Sequence, residues 1–305
     1  MELYRRASAV AAINLRTWLK DIRVRFLFLC IGCYVIVRLS PFTAYGLAAG
    51  RKLTPWLLAM LFKSDGISIN LTKSILHLGM VLLLCNAPFL FPTIPYIVMR
   101  SRRSAWWMGE CLYIIEAALL YVLFLTVVSF LTAVPVISFE PDWGDALRDL
   151  VIGTREQSAE DIRWGYGIYN TPGRFAYYLD PLKTQIYTFL TSWASFSVLG
   201  LLMYLISLIH KRASLGMASA GILIFLDPVI YSINSMKTKK SWIDLLSPVC
   251  WTDAGLLKAV NKENFLDTAM VAGMYIFFLI VLLVAISVVS KNVMIEIVGD
   301  QLRGE

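Results

Sequence analysis

Residues 268–290 read TAMVAGMYIFFLIVLLVAISVVS, a run without a single Asp, Glu, Lys or Arg. Crossing the hydrocarbon core of a bilayer takes about 20 predominantly apolar residues in a helix, so this run predicts a transmembrane span. Five further apolar runs precede it, at about 24–44, 74–99, 109–135, 184–209 and 215–233. Composition agrees: of 305 residues, 58 % are hydrophobic and 16 % charged, against about 45–50 % and about 25 % in soluble domains. A soluble chain of this makeup would lack the polar surface to face water. A cytosolic enzyme, a disordered chain and a small disulfide scaffold are all excluded, and the expected fold is an all-α membrane protein of six transmembrane helices forming one domain.

Orientation follows from the basic residues. With both termini cytoplasmic, the inner segments 1–23, 100–108, 210–214 and 291–305 hold 12 Lys and Arg in 52 positions, while the outer segments 45–73, 136–183 and 234–267 hold 14 in 111. The higher density on short inner loops is the positive-inside pattern. The 136–183 loop carries Glu140, Asp142, Asp145, Asp149, Glu156, Glu160, Asp161 and Asp180, consistent with an extracellular location. The net charge of +7 is spread over these short links and makes no nucleic-acid groove. A cleavable signal is not expected: the segment before the first run is long, and no A-x-A-like site follows it.

Within this frame, several positions stand out. Ala11, Leu15, Trp18, Leu19 and Ile22 recur at helical spacing, with Arg16, Lys20 and Arg23 on another face. This predicts an amphipathic helix in the inner interface, either a topology anchor or an elbow touching a cytoplasmic subunit. The second run contains Asn86, Pro88, Pro92 and Pro95; prolines free carbonyls that need partners in lipid, so this stretch reads as a bent packing helix or one lining a cavity. The fifth run opens on small residues, with Gly216 and Ala220 one turn apart, a pair suited to close helix packing. Asp227 stands further along, before Pro228. It is either a functional acid within the membrane or an acid near the outer water at a helix break. Glu110 is expected at the inner interface, and Glu116, two turns deeper, within protein. Trp143, Ala146, Leu147, Leu150 and Val151 predict a short amphipathic helix on the outer surface, and residues 242–251 are apolar but too short to cross, as in a re-entrant or interfacial segment.

Catalytic motifs are missing. The string from Gly46 to Lys52 has its glycines too close together for a P-loop. His77 and His210, expected near opposite faces of the membrane, make no HExxH. No GxSxG occurs. Cys30 and Cys33 form a CxxC inside an apolar run, where small packing residues are the better reading than a metal or redox pair. No cofactor is expected in this chain, and the chain is not read as an enzyme.

The link between the second and third runs reads Arg100-Ser101-Arg102-Arg103-Ser104-Ala105-Trp106-Trp107-Met108-Gly109-Glu110, basic, then aromatic, then running into a helix. It resembles the short cytoplasmic coupling helix of ABC-2 type permeases, the membrane subunits of ATP-binding-cassette exporters. The amphipathic N-terminal helix, the six runs with both ends inside and the apolar Ser247-Pro248-Val249 to Trp251 stretch resemble that family along nearly the whole chain. The resemblance implies a bacterial cell-membrane exporter. Its second permease would be identical or not, and a separate cytoplasmic ATPase would carry the ATP and Mg. Arg102, Arg103, Ser104, Trp106, Trp107, Gly109 and Glu110 would meet that ATPase, with the two tryptophans filling an apolar notch. The first, second and fifth spans, including Asn86, Pro88, Gly216, Ala220 and Asp227, would line the path or the dimer contact. The cargo would be a peptide or an amphipathic compound. A secondary transporter or channel, or an antimicrobial-peptide immunity or sensing subunit, are the alternatives.

Overall fold

The computed structural model describes residues 2–64, 71–85, 103–154, 157–168, 175–235, 245–262, 264 and 266–302. Among them the chain is helical and contains no strand, only two isolated bridges, Leu53 with Ile137 and Leu257 with Leu266. The helices are α1 (Glu2–Lys20), α2 (Ile22–Ala49), α3 (Leu58–Phe62), α4 (Leu71–Leu83), α5 (Arg103–Ala133), α6 (Gly144–Ile152), α7 (Ala159–Gly165), α8 (Phe175–Tyr178), α9 (Pro181–His210), α10 (Ala213–Ser235) and α11 (Thr268–Leu302). Local chemistry sets their ends. The Asp21 carboxylate accepts from the Arg23 amide at the start of α2, and Asp180 caps α9, whose first residue is Pro181. Lys211, at φ 54°, turns the chain sharply from α9 into α10.

Among the described residues, four stretches are long and apolar enough to cross a membrane: Ser104–Val136, Pro181–His210, Ala213–Ile233 and Thr268–Lys291. They match the third to sixth expected spans. The second does not appear as one helix. α4 is 13 residues long and ends at Leu83, and Asn86, Pro88, Pro92 and Pro95 lie outside the described residues, as does Arg102. The first, α2, is continuous through Pro41 but is not among the four.

Side-chain contacts fix the helix directions. Phe28 meets Tyr121 and Phe124, and the Thr43 hydroxyl donates to the Thr132 carbonyl at 2.7 Å, so α2 and α5 run the same way. Tyr121 donates to the Leu76 carbonyl, while Trp18, against Tyr113, donates to the Leu83 carbonyl; α4 therefore runs against α5. So does α9, where Trp193 donates to the Ile115 carbonyl and Tyr204 lies beside Trp106. α10 reverses on α9, and the first turns of α11 lie beside Tyr187–Ser197 of α9. Helices α2, α5 and α10 thus oppose α4, α9 and α11. One end of the bundle, the α1 end, gathers α1 and the start of α5. The other, the distal end, gathers residues 50–64, 134–152 and 245–262.

A ladder of rings runs through the middle: Phe28, Tyr121, Phe196, His77 and Phe62, each within 6.1 Å of the next, tying α2, α5, α9, α4 and α3 together. At the distal end, the Leu53 amide donates to the Val136 carbonyl and the Ser138 amide to the Leu53 carbonyl. Gly144, at φ 75°, lies so close to Lys52 that a Cβ there would stand 2.8 Å from the Lys52 oxygen. No other residue fits this crossing without moving the backbone. Trp143, Ala146, Leu147 and Leu150 of the α6 region are buried against this cap, and Asp149 takes both the Tyr45 hydroxyl (3.1 Å) and the Arg51 guanidinium (3.0 Å).

Candidate functional site

The most concentrated chemistry lies just under the distal cap. Lys73, in the first turn of α4, and Asp227, in α10, are both fully buried, with Nζ 2.8 Å from Oδ2. Lys73 also donates to the Ser64 hydroxyl (3.0 Å), and Ser247 donates to the other Asp227 oxygen (3.1 Å). The Ser64 amide donates to Asp253 (2.7 Å), whose second oxygen accepts from the Gly255 amide. One turn along α4, His77 Nδ1 lies 2.7 Å from the Lys73 carbonyl, and Nε2 lies 3.1 Å from the Ser195 hydroxyl of α9. A carbonyl only accepts, so Nδ1 carries the hydrogen and Nε2 faces Ser195 as the acceptor. Tyr275 of α11 donates to the Pro248 carbonyl at 2.6 Å, and the Ser195 oxygen lies 3.3 Å from the same carbonyl with its single proton directed to His77.

Two expectations about Asp227 resolve here. The helix does not break: α10 runs through Pro228 to Ser235. The acid is inside the bundle and paired, as a charge within an apolar helix must be, since an isolated ion there is far costlier than a hydrogen-bonded pair. Lys73 was expected in an outer loop; it lies instead in the first turn of α4, fully buried, with His77 one turn further along the same helix and also fully buried. The signal for them was present. Lys73 and His77 are four residues apart, hence on one helix face, and a buried aspartate in an apolar helix needs a cation. Of the 242–251 stretch read as re-entrant or interfacial, residues 245–251 are described; from Ser247 on they are buried, and the chain forms two short turns there, Cys250–Thr252 and Ala254–Leu256.

Gly216 packs closely against α9 of the same chain: a Cβ on it would run into the Ser207 hydroxyl and the Met203 carbonyl. Ala220 is fully buried.

At the α1 end, Ala7, Val10, Ala11 and Trp18 of α1 are buried. Gly109 lets the two helices touch, since its Cβ would stand 2.7 Å from Val10 Cβ and 2.8 Å from the Ala7 carbonyl. Glu110, expected at the interface, is 2 % exposed and accepts from Asn14 at 2.9 Å; Glu116 is the half-buried one. Trp106 is 3 % exposed, edge-on to Tyr204, while Trp107 is half-buried and Ser104 exposed. Arg103 begins α5. A separate apolar cleft of about 570 Å³ opens between α5, α9 and α11. Tyr187 and Trp193 line it but turn their polar tips to backbone carbonyls.

No family model, no curated protein and no solved structure matches this chain. Among the described residues the fold defines a class: a helical chain without strands, with four helices long and apolar enough to cross a membrane and a buried lysine–aspartate pair.

Proposed function

We propose that the chain is the membrane subunit of an ABC-2 type exporter, moving a peptide or amphipathic compound out of the cell while a separate cytoplasmic ATPase hydrolyses ATP. In this reading α2, α4 with the residues that follow it, α5, α9, α10 and α11 supply six crossings of the cell membrane, and both termini are cytoplasmic. A second permease subunit completes the path.

The observation that carries the reading is the junction at the α1 end. The amphipathic α1 is seated on the first turns of α5 through Gly109 and the Asn14–Glu110 bond, immediately after the basic link 100–103. Trp106, three residues into α5, abuts Tyr204 near the end of α9. A push on the 100–104 link therefore reaches α1, α5 and α9 together. Because Trp106 lies inside the chain, contact with the ATPase falls to Arg102, Arg103, Ser104 and the half-exposed face of Trp107, and Trp106 relays the movement inward.

The test has two arms. Ser104→Cys is expected to resist a membrane-impermeant thiol reagent applied to intact cells, while Ser158→Cys is labelled; labelling of Ser104→Cys from outside would sink the topology. Trp107→Ala is expected to cut co-purification of a stand-alone ATPase encoded nearby. An aromatic interface anchor is worth about 2 kcal/mol or more. Unchanged co-purification would reduce Trp107 to a membrane-interface residue.

A second reading, a secondary transporter, draws on the Lys73–Asp227 pair, because buried charges mark ion or proton paths in that class. Ion-gradient-driven efflux from proteoliposomes holding this chain alone would select it.

A further inference from the structure

Segment 245–257 lies across the distal end as two short turns. Its polar anchors include the Ser247 hydroxyl on Asp227, the Pro248 carbonyl on Tyr275, the Trp251 carbonyl on Tyr187, the Asp253 carboxylate on the Ser64 amide, and the Gly255 and Leu257 carbonyls on Asn264. Two of them lead back to one ion pair: Ser247 to Asp227 directly, and Asp253 to Lys73 through Ser64. We infer that Lys73 and Asp227 form a latch that seats segment 245–257 as a plug over the distal mouth of the path, and that parting this pair is the step that opens that end. The inference rests on the permease reading, in which α4 and α10 border the path.

The pair is well placed for this. It bridges α4 and α10 at the level of the plug, so the two helices cannot separate there while it is closed. A buried pair is also an all-or-none element. Either both charges are together in the dry interior or both are hydrated, because leaving one alone is strongly unfavourable. Beside the plug, α9 presents Thr188, Ser192 and Ser195 on one face by their spacing. The Thr188 and Ser192 hydroxyls are buried and meet no hydrogen-bond partner among the described residues.

Cys250, fully buried in the plug, is a built-in reporter, and Cys111, buried in α5 near the α1 end, is its control. The full chain is prepared in nanodiscs with Cys30, Cys33 and Cys85 replaced by alanine, and the rate of modification by a water-soluble maleimide is followed at both thiols. Lys73→Met and Asp227→Asn are each expected to speed Cys250 modification by about ten-fold or more, within the range of coupling between contacting residues, with Cys111 unchanged. The double variant should react no faster than the faster single, because both changes break one interaction. Three results would overturn the latch: Cys250 protected in both singles, Cys111 accelerating in step with Cys250, or rates that multiply in the double variant. None of these bears on sidedness or on ATPase co-purification, so the latch and the permease reading fail separately.

Discussion

Two buried acids, at opposite ends of the same bundle, are satisfied in different ways. Asp227 has a lysine on one oxygen and a hydroxyl on the other, and its neighbours draw α4, α10, the stretch after α3 and segment 245–257 into one network. Glu110 has only the Asn14 amide on one oxygen, and its second oxygen has no partner among the described residues. Shape, more than charge, brings α1 and α5 together, through the bare Cα of Gly109. The contrast separates two kinds of helix contact. At the distal end a charge pair fixes the arrangement and either partner alone is a liability. At the α1 end a close apolar fit does the fixing, and the acid is a modest addition.

The largest expected effect tests the first half of that contrast. Asp227→Ala leaves Lys73 buried without its counter-ion and should cost about 3–5 kcal/mol, whereas Lys73→Met with Asp227→Leu should recover most of it, since removing both charges removes the desolvation cost as well. Unfolding of the purified variants in denaturant measures both, and a loss below about 1 kcal/mol for Asp227→Ala would mean that water reaches the pair and the contrast collapses. Next comes Gly109→Val, which forces side-chain atoms into Val10 and the Ala7 carbonyl. Overpacking of this kind costs about 1–3 kcal/mol, and α1 should become the first site of protease cleavage. Protection equal to that of the parent would show that the fit at Gly109 is loose. The smallest effect belongs to Glu110→Gln. The retained carbonyl oxygen still accepts from Asn14, so the change should stay within about 1 kcal/mol; a loss as large as that for Asp227→Ala would put the two acids in the same class.

Much of this was legible in the chain. The runs 109–135, 184–209, 215–233 and 268–290 announced four long helices because continuous apolarity is a one-dimensional signal. The helix over Gly144–Ile152 was readable from the spacing of Ala146, Leu147 and Leu150. What stayed hidden depends on partners distant in sequence. Lys73 reads as a loop charge until Asp227 is brought beside it, and Ser64, Ser247 and Asp253 are ordinary polar residues until segment 245–257 folds into the bundle. Gly216 and Ala220 marked a close approach but not whose helix would make it, because a small-residue face looks the same whether it meets α9 or a second copy. Trp106 and Trp107, neighbours in a basic-aromatic link, point in different directions once α5 begins at Arg103, and only their burial distinguishes them.

The contact between Ser64 and Asp253 joins residues 189 positions apart. At about 5–20 residues per second of synthesis, their emergence from the ribosome is separated by roughly 10–40 s. For most of that interval Lys73 is already made and its aspartate, Asp227, is not. Until α10 arrives the lysine lacks the counter-ion it has in the folded chain, and an unaccompanied ammonium is strongly unfavourable in an apolar interior. The distal network therefore closes only once Asp253 has been made. α1, α2 and the start of α5 can be assembled long before it, and a chain that stops short of α10 carries its own mark of incompleteness: a cation with no place to go.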